Sequence, residues 1–154
     1  MASVVLVPFD GGPAAQAALH SAASTARRDD ALVIALYVAL IPRQLPLSAD
    51  LPWLAREVSR VQLLAEPIVR EAGANAWVEW VRARELPSAI SSVAEELAAS
   101  RILLGVHRSP KQPPWLRHWS LPGRLQRLAP CLVQVCDFKG VEAVRARQSS
   151  EALT

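Results

Sequence analysis

The hydrophobic pattern of this 154-residue chain alternates between short apolar runs and longer amphipathic stretches. Apolar runs with little alternation are typical of strands that are buried on both faces of a parallel sheet. The chain contains five such runs, and each predicts a strand. They lie at Ser3–Pro8, Ala31–Val38, Ala76–Arg82, Arg101–Val106 and Cys131–Cys136.

Four stretches with apolar residues at helical spacing separate these runs, at about residues 13–28, 52–71, 87–100 and 120–128. Pro13 and Pro52 suit the first turn of a helix, where a missing N–H leaves no bond unmade. Pro67 predicts a bend or a break in the second helix. Strands that alternate with helices predict an α/β fold, with a parallel sheet covered by helices on both faces.

Composition indicates one folded domain, because 51% of the residues are hydrophobic and 20% are charged. We expect this domain to span residues 1–139 and the polar residues 140–154 to form a flexible tail. The longest uncharged apolar run, Ala31–Pro42, is shorter than a membrane span, and the N-terminus has no basic leader segment. We therefore expect a cytoplasmic protein.

The two cysteines, Cys131 and Cys136, are too few for a disulfide framework. No spacing of His, Cys, Asp and Glu predicts a metal site. No serine stands in a nucleophile pattern with His and Asp, so the sequence offers no candidate catalytic residues.

Charge is distributed unevenly along the chain, although the net charge is only +3. Residues 1–100 carry 8 Lys and Arg against 11 Asp and Glu, whereas residues 101–154 carry 9 against 3. No acid lies between Arg101 and Arg127. A one-sided basic segment predicts an anionic ligand, partner or surface.

Ligands of open α/β sheets bind outside the carboxyl ends of the strands. In this chain that rule selects the loops 9–13, 38–43, 82–87 and 106–120. Together with the free N–H groups at helix starts, the cations of these loops predict a phosphate-bearing ligand. The candidate charged residues are Asp10, Arg43, Arg82, Arg84, His107, Arg108, Lys111, Arg117 and His118.

Several segments resemble the universal stress protein family. Val5–Leu19 (VLVPFDGGPAAQAAL) resembles the family's V-P-h-D-G-S-x-x-A-x-x-A-L opening, and Leu36–Val38 resembles the end of its second strand. Ile102–Val135 resembles its I-V-M-G-S-H-G…A-P-C-P-V-L-V segment. The resemblance covers residues 3–137. It implies a Rossmann-like, adenine nucleotide alpha hydrolase-like fold, an open five-stranded parallel sheet in the order 3-2-1-4-5.

The resemblance also implies a nucleotide or anion site. Asp10 has two compatible roles, a turn or cap at the helix start and a contact to adenine or ribose. His107 either contacts the ligand or bonds to backbone, and Ser120 either caps the last helix or faces a phosphate. The implied site comprises Pro8, Phe9, Asp10, Val38, Gly105, His107, Arg108, Ser120 and Leu121.

The glycine motif of the ATP-binding branch, G-x-x-G-x9-G-[S/T], is degenerate in this sequence. Gly105 matches the first glycine and Ser120 matches the final hydroxyl, but Arg108 and Trp119 replace the second and third glycines. The loop between them is one residue longer. Arg84 likewise stands where the family has a glycine. Glycine at such points lets backbone N–H groups approach phosphate closely. The resemblance implies a dimeric regulatory or ligand-sensing module of the stress response, and these departures predict that its ATP binding is weak or absent.

Two other functions stay open. The chain is alternatively a genuine adenine-nucleotide or small-anion binding protein that uses the basic loop 107–120, with ATP or AMP as its ligand. A nucleotide-hydrolysing enzyme is the third candidate, but no residue is placed to activate water. Nucleic acid is not an expected partner, since the chain has no recognisable nucleic-acid-binding module.

The last predicted strand is expected to lie at a sheet edge, and universal stress proteins commonly dimerise there. The resemblance therefore implies a homodimer through residues 131–136, and a regulatory protein is a further expected partner. Two tryptophans on the third predicted strand, Trp77 and Trp80, are three residues apart and should face opposite sides of the sheet.

Overall fold

The sheet contains five parallel strands and, among the described residues, one antiparallel strand at its edge. The computed structural model describes residues 3–71, 73–106, 120–137 and 140–143. The parallel strands are β1 (Val4–Pro8), β2 (Leu32–Leu40), β3 (Ala76–Ala83), β4 (Arg101–Gly105) and β5 (Leu132–Asp137). They lie in the order β3-β2-β1-β4-β5, which confirms the predicted strand order.

Helices cover both faces of this sheet. They are α1 (Pro13–Asp29), α2 (Pro52–Glu71), α3 (Leu86–Glu96) and α4 (Leu121–Leu128). Pro67 lies inside α2, which continues to Glu71, so the predicted break is absent. None of the helices that the structure describes is long and apolar enough to cross a membrane.

The third helix ends four residues earlier than its pattern predicts, at Glu96. Ala98 has the left-handed φ of 51°. The N–H of Ala99 donates to the carbonyl of Ala94 at 2.9 Å, which closes the helix end.

Two apolar layers flank the sheet. On one face α1 and α2 pack on β1 and β2, and α1 contributes small side chains that let it lie close to the strands. On the other face α3 and α4 pack against Ile34, Ile102 and Val133. The buried alanines of α1 are Ala15, Ala18, Ala22, Ala23 and Ala26.

The second strand is longer than predicted. It runs to Leu40 and pairs in register with β3 up to Ala83. The apolar run that begins at Ala31 continues to Ile41, so the signal for this extension is present in the sequence. The two extra residues bring Leu40 to the carboxyl edge of the sheet.

A sixth strand, β6 (Gly140–Ala143), pairs antiparallel with β5. It lies in the segment expected to be a flexible tail, and its four residues are too few to show a hydrophobic pattern. β6 covers the outer edge of β5, the strand through which the resemblance implies a dimer.

The opposite edge of the sheet is β3. Val78 packs on the α1–α2 side and Val81 packs on the α3–α4 side. Because side chains alternate along a strand, Trp80 lies on the side of Val78 and Trp77 on the side of Val81. The predicted opposite orientation of the two tryptophans is confirmed.

Candidate functional site

A cavity of about 410 Å³ opens at the carboxyl edge of the sheet. The ends of β1, β2 and β4 form its floor, and the first turns of α1, α3 and α4 form its walls. This is the position that strand direction predicts for a ligand. Its volume lies at the lower end of the range of about 300–1,000 Å³ found for small-molecule sites.

Six of the nine residues proposed from sequence line this cavity, and they are Pro8, Phe9, Asp10, Val38, Gly105 and Leu121. Ser120 is the N-cap residue of α4, where its carbonyl accepts from the N–H of Arg124 at 3.0 Å. Its side chain does not cap the helix. His107 and Arg108 lie outside the described residues, as does Trp119.

Nine lining residues are absent from the site proposed from sequence, and they are Gly12, Pro13, Ala14, Ala15, Leu36, Tyr37, Leu40, Leu86 and Leu104. Leu40 lies beyond the predicted end of β2. Leu86 begins α3, one residue before the predicted start. Among the described lining residues, Asp10 is the only one with a charge, so the described part of the cavity is apolar with a single carboxylate.

Asp10 acts as a turn residue. Its Oδ1 accepts a hydrogen bond from the N–H of Gly12 at 2.8 Å. Gly12 is the N-cap residue of α1, and Pro13 follows it without an N–H. The start of α1 therefore offers a ligand two fewer free donors than an ordinary helix start.

The loop that carries Asp10 is held by neighbouring helices. Gln16 donates from Nε2 to the carbonyl of Gly11 at 2.9 Å, and Arg60 of α2 donates to the carbonyl of Asp10 at 3.2 Å. Gly11 has the left-handed φ of 90°, and the atoms nearest to an added Cβ belong to the flexible ends of the Leu64 and Arg60 side chains. Glycine is therefore favoured at this turn by its backbone conformation.

Glycine is required at position 105 for a structural reason that does not involve a ligand. A Cβ at this position would lie 2.0 Å from the carbonyl oxygen of Ala14 and 2.7 Å from the nitrogen of Ala15. The first turn of α1 thus rests directly on the end of β4. The glycine that matches the family motif is required for helix packing, whatever it contributes to a ligand.

Three arginines expected to serve an anionic ligand are engaged elsewhere, and none of them lines the cavity. Arg82 donates to the carbonyl of Ala49 at 2.6 Å. Arg84 donates to the carbonyls of Ile41 and Pro42. The two side chains therefore hold the loop that follows β2, here called the β2–α2 loop (residues 41–51).

The third of these arginines, Arg43, pairs with Glu85 at 3.0 Å. Both side chains are largely exposed, so this pair contributes little to stability. Its effect is on charge, because Glu85 neutralises one of the cations expected at this edge of the sheet. Among the described loops at this edge, the predicted cluster of free cations is not formed.

Tyr37 lines the cavity, and the charged side chains of Asp10, Glu57 and Arg60 influence its hydroxyl. Burial raises the pKa of its hydroxyl above the usual 10.0, and the carboxylates of Glu57 and Asp10 raise it further, while Arg60 opposes them. Arg60 hydrogen-bonds Glu57 at 2.6 Å and lowers the pKa of that carboxyl. The neutral form of Tyr37 is therefore favoured in the folded protein.

This shift predicts a loss of stability at alkaline pH. The folded state holds the Tyr37 proton more tightly than the unfolded state, so the contribution is complete below pH 10 and disappears as the pH rises through the folded pKa. Tyr37 is the only tyrosine, so tyrosinate absorbance near 295 nm reports it alone. We expect a midpoint above 10 in the folded protein and near 10 in urea. Tyr37→Phe should weaken the alkaline fall in stability, and an equal fall in both proteins would contradict the assignment.

No group of three or more His, Cys, Asp or Glu lies together among the described residues in a way that could hold a metal ion. Cys136 is buried and Cys131 is partly buried, and they point to opposite faces of the sheet. The described walls of the cavity are apolar or backbone apart from Asp10 and Tyr37.

Comparison with known proteins identifies the family. The profile of the universal stress protein family matches residues 1–126, which include every described residue that lines the cavity. The chain belongs to the universal stress protein family. A search of curated proteins finds no match to this universal stress protein.

Solved structures of universal stress proteins share the fold. A family protein from Burkholderia pseudomallei is 25% identical, with a TM-score of 0.65 over 86% of this chain and 94% of that chain. A universal stress protein in complex with cAMP is 20% identical, with a TM-score of 0.65 over 87% of this chain and 95% of that chain. One from Archaeoglobus fulgidus in complex with dAMP is 18% identical, with a TM-score of 0.65 over 88% and 97%.

Proposed function

We propose that this universal stress protein is a cytoplasmic ligand-sensing module of the stress response, which holds an adenine nucleoside or nucleoside monophosphate and binds ATP weakly. The observation that carries the proposal is the character of the cavity. It has the size of a small-molecule site, and its described walls are apolar apart from Asp10 and Tyr37. Such walls suit a flat heterocycle with a few polar edges.

The same walls offer little to a triphosphate. The N–H of Gly12 is already bonded to a carboxylate, and Pro13 has no N–H. Arg82 and Arg84 are bonded to loop carbonyls. A ligand with four negative charges would therefore meet the Asp10 carboxylate, and none of the described residues that line the cavity is a cation. The replacement of two motif glycines by Arg108 and Trp119 supports the same ranking.

Known structures of the family support the choice of an adenine ligand. One universal stress protein has been solved with cAMP and another with dAMP, and both are nucleotides with a single phosphate. The ligand proposed for this chain has the same base and at most the same number of phosphates. The proposed order of affinities, with AMP bound more tightly than ATP, distinguishes this chain from an ATP-binding relative.

Calorimetric titration with adenosine, AMP and Mg-ATP tests the proposal. We expect adenosine and AMP to bind more tightly than ATP. Leu40→Asp places a charge on the cavity wall, and we expect it to weaken AMP binding at least tenfold, or about 1.4 kcal/mol. Leu45→Asp is the matched control, because Leu45 is similarly exposed (37% against 47%) and does not line the cavity. Absence of binding for all three ligands, or equal losses in the two variants, would reject the proposed site.

Asp10→Asn separates the two roles of Asp10. The amide oxygen can still accept from Gly12, so the turn is kept while the charge is removed. If the carboxylate only caps the turn, ATP affinity should rise while adenosine affinity stays the same. If it also bonds to ribose or adenine, adenosine affinity should fall.

A second candidate function uses the basic loop 107–120 as an anion site. The observation that favours it is the absence of acids between Arg101 and Arg127. In that case ATP should bind at least as tightly as AMP, with an affinity that falls steeply with salt. Arg108→Ala should then weaken binding and reduce the salt dependence. An unchanged affinity would remove Arg108 from the site.

The homodimer through residues 131–136 and a regulatory protein partner stay predictions of the family resemblance. β6 occupies the outer edge of β5. Direct contact between the β5 strands of two copies therefore requires β6 to leave that edge, which makes this dimer conditional on the segment after residue 139.

A further inference from the structure

β3 is an edge strand with few of the features that normally protect an edge. Among the described residues it pairs with β2 alone, whereas β5 at the other side is covered by β6. Its sequence, AWVEWVRA, contains no proline, glycine or lysine, and its pairing with β2 is continuous. Its two charged residues are engaged within the chain, Glu79 with the Trp77 ring nitrogen and Arg82 with the carbonyl of Ala49. Protected edges are usually short, bulged or charged, because free N–H and C=O groups pair with other strands.

Two tryptophans stand on this edge, and each is 37% exposed. Both rings are held by polar contacts within the chain. Trp77 donates from Nε1 to Glu79 at 3.1 Å, and the guanidinium of Arg82 lies 5.9 Å from the centre of the Trp80 ring. Arg82 is itself fixed by the carbonyl of Ala49. Large rings that are already positioned lose little freedom on association, which is why tryptophan is enriched in interfaces.

We propose that a second copy of this chain pairs with β3 in antiparallel fashion, with Trp80 of both copies on the two-fold axis. The interface is isologous, so each copy contributes the same strand and the assembly closes as a dimer. The two sheets then join into one continuous sheet. This proposal concerns the edge of β3 and is independent of the ligand assigned to the cavity.

The geometry of a continuous sheet limits the register. Residues directly opposite each other share a face, so the two-fold axis must pass through a residue position and not between two positions. A centre at Glu79 would oppose two carboxylates, which destabilises the pair. A centre at Val81 would pair only the five residues 79–83 of β3. A centre at Trp80 pairs the seven residues 77–83.

Chemical complementarity supports the register centred on Trp80. The two indole rings lie opposite each other and form an aromatic pair. Arg82 faces Val78 of the second copy and lies diagonal to its Trp80, where a guanidinium meets the face of an aromatic ring. Glu79 faces Val81 of the second copy, so no like charges are directly opposed.

Sedimentation velocity of the full chain over a concentration series tests the interface. We expect a dimer, and we expect Trp80→Glu to raise its dissociation constant at least a hundredfold because two carboxylates then oppose each other on the axis. Leu63→Glu is the matched control, since Leu63 belongs to α2, is 70% exposed and is not part of the apolar clusters that pack on the sheet. It should leave the dimer intact.

Disulfide trapping tests the register. Directly opposed residues have Cα atoms about 4.5–5.5 Å apart, which is within the range of a disulfide. Trp80→Cys should therefore form a covalent dimer under mild oxidation. Trp77→Cys is the control, because the two copies of residue 77 would lie six positions apart along the strand, or about 20 Å. Wild type, with Cys131 and Cys136, controls for the native thiols.

Several results would overturn the proposal. A wild-type chain that stays monomeric throughout the series would do so, as would a dimer that survives Trp80→Glu. The latter result would place the contact on the β5–β6 side instead. Equal trapping of the variants at positions 77 and 80 would reject the register, and a β3 edge that binds only a foreign extended peptide would reject the second copy as its occupant.

Discussion

Gly105→Ala is expected to destabilise the fold by at least about 3 kcal/mol, the upper end of the usual cost of overpacking. The added methyl group would lie 2.0 Å from the carbonyl oxygen of Ala14. A backbone atom cannot turn aside as a flexible side chain can, so α1 must move away from β4. That movement would disturb the buried alanine face of α1 as a whole. For a domain whose net stability is about 5–15 kcal/mol, this is a large fraction.

Urea unfolding of Gly105→Ala and of Gly73→Ala separates packing from backbone strain. Gly73 has the left-handed φ of 68°, and nothing lies within 4 Å of an added Cβ. Alanine at position 73 should therefore cost only the conformational strain of about 1–2 kcal/mol. If Gly105→Ala unfolds at the wild-type urea concentration but loses AMP binding, the glycine acts on the ligand and the packing argument is wrong.

Leu125→Ala is expected to cost about 2–5 kcal/mol, the usual range for an apolar side chain deleted from a core. Leu125 is fully buried, and it is the only residue of α4 that is buried. It packs with Ile90 of α3 and Val133 of β5. Leu121 packs partly buried against the same cluster, and the hydroxyl of Ser91 donates to the carbonyl of Leu128 at 2.9 Å, so Leu125 is the main apolar anchor of this eight-residue helix and not its only contact.

Leu128→Ala is the matched control for this prediction, because it makes the same substitution in the same helix at a side chain that is 54% exposed. Its effect on the unfolding midpoint should be within about 0.5 kcal/mol of zero. Leu121 of α4 lines the cavity, so Leu125→Ala should also weaken AMP binding in protein that remains folded. Similar unfolding curves for the two variants would show that α4 is not anchored through Leu125.

Much of the fold was predictable because it depends on local pattern. Buried runs such as Ala31–Val38 indicate parallel strands. Apolar residues at helical spacing between these runs indicate the helices that pack on the sheet. The order of the strands came from the family resemblance and not from the pattern. β6 was not predicted, because the four residues Gly140–Ala143 are stabilised by pairing with β5, which no local pattern reports.

The candidate site was predictable in position and less so in chemistry. Strand direction places Asp10, Val38 and Gly105 at one edge, and all three line the cavity. The sequence could not indicate that Arg84 donates to the carbonyls of Ile41 and Pro42. Every residue has a backbone carbonyl, so the residue types in the loop do not show which carbonyls accept a hydrogen bond. Charge alone therefore suggested a more cationic site than the described residues form.

The attachment of the β2–α2 loop has a consequence for how this protein can change over evolutionary time. Arg82 and Arg84 hold the loop by hydrogen bonds to its backbone carbonyl oxygens, and every amino acid supplies the same carbonyl. The exposed side chains of residues 42–48 can accordingly be exchanged without loosening this anchorage, whereas Ile41 is buried in the core. The surface of the loop is thus free to acquire new chemistry by mutation while the path of its backbone is retained, and two residues outside the loop carry much of the constraint.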